Sequence, residues 1–415
     1  MTTDARDSTA DDRRFMAHAL ELASRGRGLT SPNPMVGAVV ADAGRVVGEG
    51  FHVRSGGPHA EVEALREAGA RARRATLYVT LEPCHHWGKT PPCVDAILAA
   101  GIRRVVAAAR DPNPRVRGGG TEALRAAGIA VVSGCLEEEA IAVNRVFFTA
   151  MERGRPHVTL KCAMTLDGKI AAFDGSARWI TGADARRLAH RLRSESDAVM
   201  IGIGTALADD PALTVRLDPP WPREPLRVVV DSRARLPLGA RLIDAGDPSR
   251  VVVAVTDAAP VAHVAALEAR GVTVLACKSH DGRVDPVDLC ARLFTMDVIG
   301  VLLEGGSDLN WAFIEAGLVD RVAIFIAPML IGGEGAPTAI GGHGLALPQA
   351  LRLIGVHVRQ VGQDWFIEAD VARPADSRVE DSRTGAPPAR RPSPSRGVRG
   401  RGSRSDSLAQ GGAEG

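Results

Sequence analysis

Aromatic side chains make up only 4% of this 415-residue chain, which has a single tyrosine, and its formal net charge is only +2. Binding a nucleic-acid strand calls for stacking aromatics along a basic groove, so nucleic acid is not an expected partner. Small molecules are favoured instead. No run approaches the roughly 18 apolar residues of a membrane span, and the opening segment MTTDARDSTADDRR lacks the apolar stretch of a secretory signal. No membrane partner and a cytoplasmic location are therefore expected. Six scattered cysteines make no disulfide framework in a chain this long, so a close pair of them points to metal or catalysis. The GxGxxG dinucleotide fingerprint is missing too: GIGTAL has the first two glycines and lacks the third, which disfavours Rossmann binding. There are no internal repeats.

With 45% apolar residues the chain has material for two ordinary cores. After a flexible start over residues 1–11, helical spacing of Phe15, Met16, Ala19, Leu22 and Ala23 predicts an amphipathic helix. MVGAVVADAGRVVGEGF reads as two strands about an Ala-Gly turn. Helices closed by Gly69 and Gly101 then alternate with the strands TLYVTLE and RRVVAAAR, an α/β layered pattern. LEEEAIAVNRVFFTAMERG predicts one long helix ending at Gly154, which places a domain boundary there: residues 12–154, then 155–371. The second domain shows strands at HVTLKCAM, DAVMIGI, LRVVVDS, RVVVAVT, VTVLAC, VIGVLLEGG and RVAIFIAPML, with helices between them. Residues 372–415 are rich in Arg, Ser, Pro and Gly, and this composition predicts a disordered, solvated extension.

LEPCHHWGKTPPC sets Cys84 and Cys93 around His85 and His86. Catalytic zinc takes three protein ligands and leaves one position open, so the thiolates need a partner. An immediate neighbour of Cys84 fits poorly on the same ion. His59 in PHAEVEALREAG is the better donor: at a helix first turn it can ligate while Glu61 reaches the water. His/Cys/Cys plus a glutamate are the parts of a zinc deaminase. Two thiolates neutralise the ion, which still brings the pKa of its water toward ~7, and Glu61 shuttles protons to the ring nitrogen and the departing amine. Pro91 and Pro92 stiffen the approach to Cys93, which opens a helix whose amides favour a thiolate. Two competing readings stand beside this one: a closed structural zinc site using His85 or His86 within an inactive binding module, and a deaminase acting on nucleic acid.

PNPMVGAVV, PHAEVEALREAG, VTLEPCHHWGKTPPC and ARDPNPRVRGGG, followed by LKCAMTLDGKIA, RWITG, LADDPALTVR, VLLEGG and IAPMLIGG, resemble the bifunctional deaminase-reductase family of riboflavin biosynthesis over roughly residues 12–370. The resemblance implies an N-terminal cytidine-deaminase-like three-layer domain followed by a dihydrofolate-reductase-like α/β domain. It implies deamination of a phosphoribosyl diaminopyrimidine, then NADPH reduction of the ribosyl group to a ribityl chain. By matching positions, His59, Cys84 and Cys93 hold Zn2+, Glu61 moves protons and Asn33 contacts substrate. NADPH is implied near Ala163, Trp179, Thr205, Asp209, Ser232 and the turn Gly306, Ser307, Asp308, Leu309, Asn310, Trp311 and Ala312. Arg193, Leu213, Arg216 and Glu304 would face the reductase substrate, with Lys161 nearby. The strand, Gly-Gly turn and helix start in VLLEGGSDLNWAF suit an anion, and Arg193 and Arg216 are charge-assisted donors suited to a phosphate. His85 and Lys89 stand where the family usually has Ser and Arg, and Ala177 where a substrate-site Ser is common. A homodimer through the reductase half is also implied.

Overall fold

Thr9 and Asp12 form a reciprocal capping box, so the first helix, α1 (Ala10–Ser24), starts five residues before Phe15, the first residue of its apolar periodicity. Asp12 is itself buried, accepting hydrogen bonds from Arg104 at 2.7 Å and from the Tyr78 hydroxyl at 3.0 Å. The computed structural model describes residues 8–88, 91–114, 116 and 118–372. The expected tail disorder, the first seven residues and Lys89 thus lie outside the described residues, Ala372 excepted.

Strands β1 (Gly37–Asp42), β2 (Arg45–Phe51), β3 (Thr76–Leu81), β4 (Arg104–Ala109) and β5 (Ala130–Ser133) form a sheet in the order β2-β1-β3-β4-β5. β1 is antiparallel to β2 and β3, while β3, β4 and β5 run parallel. The expected turn is present: Ala43 and Gly44 both have positive φ, the backbone of a tight two-residue hairpin. Alternation along the strands then divides the side chains. Val39, Tyr78 and Val106 pack on α1 and on α5 (Glu137–Val143) and α6 (Arg145–Arg153). Val40, Leu77 and Val105 pack on α2 (Ala60–Ala68), α3 (Cys93–Ala99) and α4 (Gly119–Ala126). This is the three-layer domain that the resemblance implied.

The single long helix expected before Gly154 is instead two, α5 and α6. Asn144 interrupts it with φ −104° and ψ 21°. Its side chain accepts from the Met35 N–H and donates to the Met35 carbonyl, both at 2.7 Å, which clamps the break to the segment before β1, while its backbone still donates to Ala140 and accepts from Phe148.

The second sheet is built from β6 (His157–Thr165), β7 (Ala198–Gly202), β8 (Leu226–Val230), β9 (Val251–Val255) and β10 (Thr273–Ala276), with a two-residue ribbon β11 (Ser279–His280) and β12 (Arg283–Val284) beside it. β13 (Gly300–Leu303), β14 (Val319–Ala327), β15 (Leu353–Val361) and β16 (Asp364–Val371) complete it, in the order β10-β9-β8-β7-β13-β6-β14-β16-β15. All pairings are parallel except those made by β16 with β14 and β15. The sheet is covered by α7 (Ala183–Ser194), α8 (Ile203–Asp209), α9 (Arg241–Asp244), α10 (Val261–Ala269), α11 (Pro286–Thr295) and α12 (Ser307–Glu315). The β15–β16 hairpin is an addition to the strands read from the sequence.

The two sheets share a core. Ile299, just before β13, is buried with Phe147, Leu81 and Tyr78 of the first sheet's layer, and Phe294 of α11 packs against the same cluster. Arg153 and Arg155 both pair with the buried Asp320 of β14, at 2.5 and 2.8 Å, and Arg145 pairs with Asp370 of β16 at 2.5 Å.

Candidate active sites

Beyond the carboxyl ends of the parallel strands β3 and β4, two helices begin close together, the usual position for a site in an open α/β sheet. His59 is the N-cap of α2 and Cys93 the first residue of α3. Cys84 lies on the loop leaving β3. The His59 Nδ1 is 3.1 Å from Cys93 Sγ and 3.5 Å from Cys84 Sγ, and all three donor atoms lie within 4.8 Å of one another. The edges of a tetrahedral zinc site with these atoms are about 3.6 Å, so the donor set fits that ion. The Cys93 amide donates to Cys84 Sγ at 3.3 Å, adding a helix N-terminal N–H to the sulfur's surroundings.

The electrostatics are those of a thiol pair sharing a proton. The hydrogen bond from Cys93 foremost, and that from His59, pull the Cys84 thiol down to about 4, whereas the same bond and burial push Cys93 up. His59 is raised, first by its bond with Cys84. Glu61 is buried in the first turn of α2, and that burial raises its carboxyl above the ordinary range. His85 and His86 are exposed and belong to no metal-capable group among the described residues.

A cavity of about 660 Å³ opens on these groups and takes in Asn33. It also shows residues that the sequence reading did not single out. His52 is buried, with its Nδ1 on the Pro58 carbonyl at 2.9 Å; its Nε2 therefore accepts from the Asn33 amide at 3.1 Å. Asp111, raised to about 7 chiefly by burial, accepts from the Asn113 amide and faces the same space. Glu82 takes the N–H groups of Gly118 and Thr121 at 3.0 and 3.1 Å, fixing the start of α4 against the cavity floor. The only signal for Asp111 was its place inside the ARDPNP motif, and His52 had none.

In the second sheet, the residues singled out gather at the carboxyl ends of β6, β7, β8 and β13. Glu304 follows β13 and is buried. Arg193 of α7 grips it with two bonds, Nε to Oε1 at 2.7 Å and Nη2 to Oε2 at 2.9 Å, and Lys161 of β6 joins at 3.3 Å. These cations hold the Glu304 carboxyl below its ordinary range against the opposing effect of burial. Arg193 is thus already committed to a carboxylate. Arg216 is exposed and reaches His190 at 3.2 Å; Leu213 is buried in the left-handed region at φ 54°, and Ala177 is half-buried.

Gly306 caps α12, and a Cβ there would meet the Thr205 hydroxyl at 3.3 Å. Leu309 packs beside Gly202 and Gly305, so this strand-turn-helix corner is tight. Around it, Ala163 lies on β6, Ala312 continues α12, Asp209 ends α8 and Trp179 is exposed beneath the Arg186 guanidinium at 4.5 Å. Several other side chains have structural partners: Ser232 accepts from the Val284 N–H at 3.0 Å, Ser307 donates to the Thr338 carbonyl, Asn310 donates to the Ala339 carbonyl at 2.8 Å, and Trp311 is buried against His343. Asp308 is exposed, 3.5 Å from Arg283.

Comparison with known proteins agrees with this two-part geometry. Residues 9–109 match the cytidine and deoxycytidylate deaminase zinc-binding region, and residues 156–367 the RibD C-terminal domain. Riboflavin biosynthesis protein RibD of Actinobacillus pleuropneumoniae is 42% identical over 367 residues, covering 88% of this chain and 97% of that one. Among solved structures, RibD of Acinetobacter baumannii aligns with a TM-score of 0.80 at 39% identity, over 88% of this chain and 99% of that one. A diaminohydroxyphosphoribosylaminopyrimidine deaminase/5-amino-6-(5-phosphoribosylamino)uracil reductase from Thermotoga maritima aligns with a TM-score of 0.75 at 36% identity, over 87% and 99%. Identity of this order across both halves and nearly the whole length of the relatives leaves one conclusion: the chain belongs to the RibD family, the bifunctional deaminase-reductases of riboflavin biosynthesis.

Proposed function

We propose that residues 12–154 deaminate 2,5-diamino-6-(5-phosphoribosylamino)pyrimidin-4-one and that residues 155–371 reduce the product's ribosyl group to a ribityl chain. The observation that carries the first step is the convergence of His59 Nδ1 and the sulfurs of Cys84 and Cys93 beside the buried Glu61. These three residues would hold zinc, which supplies Lewis acidity that brings water's ionisation toward neutral pH. Glu61 takes a proton from the attacking water, returns it to the ring nitrogen and transfers a second to the departing amine, which leaves as ammonia. Asn33, oriented by His52, holds the ring.

For the second step, the Glu304 carboxylate fixes Lys161 and Arg193 at the end of β13, where an ammonium can donate a proton to the ribosyl oxygen. The Gly305–Gly306 corner and the N-terminus of α12 suit the phosphates of NADPH, which supplies the hydride. Preference for NADPH over NADH is expected, and comparable turnover with both would refute it.

A small-molecule enzyme of the cytoplasm fits this reading; no helix among the described residues is long and apolar enough to cross a membrane. A homodimer is proposed through the reductase half, where the edge strand β15 exposes Leu353, Val356 and Val358. The deciding experiment incubates zinc-loaded protein with the phosphoribosyl diaminopyrimidine and follows products by mass spectrometry. Deamination without NADPH, and deamination plus two hydrogens with it, is the expected result. No reaction in either tube would return the structural-zinc reading.

A further inference from the structure

The cavity in front of the zinc ligands is not closed by the deaminase half alone. Phe294 and Asp297, at the end of α11, and Ile299, before β13, line it together with Phe147 and Met151 of α6, although all three lie inside the span matching the RibD C-terminal domain. We propose that this turn of the reductase half is a specificity element of the deaminase site, recognising the hydroxylated ribosyl arm of the pyrimidine; the inference rests on the function proposed above.

Three observations support it. At about 660 Å³ the cavity is of the size that encloses a whole small ligand, and a bare pyrimidine would leave most of it empty. The wall has the chemistry of a sugar contact: Phe294 and Met151 offer apolar faces, and the exposed Asp297 offers a carboxylate that accepts hydrogen bonds from hydroxyl groups. The wall is also held in place, because Ile299 is buried in the first sheet's core while its N–H and that of Gly300 donate to Asp197 at 3.0 and 2.9 Å.

The backbone of Asp297 lies at φ 62°, a conformation glycine adopts freely, so Asp297→Gly removes the carboxylate without straining the turn. In the full-length, zinc-loaded chain, Asp297→Gly and Phe294→Ala are each expected to raise the deamination KM for the phosphoribosyl substrate about tenfold, with kcat within about twofold. With the same pyrimidine lacking the ribosyl phosphate, KM should not move. Reductase turnover, measured with NADPH on the deaminated product, should match the parent and serves as the control for folding. The inference is overturned if both variants keep the parent's KM, if KM rises equally for both pyrimidines, or if reductase turnover falls in step with deamination. A parent chain that deaminates neither pyrimidine would overturn the underlying function itself, and the inference with it.

Discussion

Glu61 sits two positions after His59, a spacing that opposes two side chains in a helix interior yet lets both reach one space at a first turn. That is why HAE was readable in the sequence: its meaning depends on the helix starting at Ala60, with His59 as its cap. Replacing Glu61 with Gln keeps the shape and removes the proton carrier. The expected outcome is a fall in deamination kcat of about 10²–10⁴-fold with bound zinc and thermal melting unchanged, read by turnover and by metal analysis of the same sample. Parent-like activity would remove the proton shuttle from the mechanism. Other residues were beyond sequence reading for a physical reason. His52 acts through a carbonyl and an amide that the chain brings to it from Pro58 and Asn33. Likewise, nothing in a lone Arg193 told that Glu304 would neutralise it.

Helical spacing located α1, closing glycines located α2 and α3, and β3 and β4 were legible as short apolar runs because both their faces are buried. Such signals failed where a polar side chain governs. Asn144 looked like an ordinary residue in a long helical run, and only its clamp on Met35 explains the break between α5 and α6. Asn144→Ala would leave the Met35 N–H and C=O without that partner, and a loss of about 2–4 kcal/mol in urea-unfolding free energy is expected. The β15 strand escaped notice for another reason: its residues are exposed on both faces, so its apolar positions answer to no core. The metal-bearing loop gives an element-scale test. Chelation of zinc, or Cys84→Ser, should abolish deamination while NADPH-dependent reduction of the deaminated product continues, since the bonds described for the ligand atoms run among His59, Cys84 and Cys93 themselves. Loss of both activities together would argue that the ion supports the whole fold.

His157, at the start of β6, shows how the molecule as a whole responds to acid. Burial foremost holds its imidazole down to about 4, with Asp320 opposing, against an ordinary value of 6.5. The unfolded chain gains a proton as pH falls below 6.5, whereas the folded chain gains it only near 4. Stability is therefore fully present above 6.5 and declines through that window by up to about 3 kcal/mol. His157→Gln should flatten the pH dependence of unfolding between pH 6.5 and 4; an unchanged slope would assign acid sensitivity elsewhere.

The core shared across the two sheets has a consequence for how the protein is made. A ribosome delivers the chain from its N-terminus, and domains generally fold as they emerge. Here the first sheet and its six helices are fully synthesised by Gly154, yet the apolar layer around Phe147 and Leu81 lacks Phe294 and Ile299 until most of the reductase half has followed. The deaminase is thus the first half to be written yet is completed late: its last core residues arrive just before β13, when only β13 to β16 of the reductase sheet remain to be synthesised.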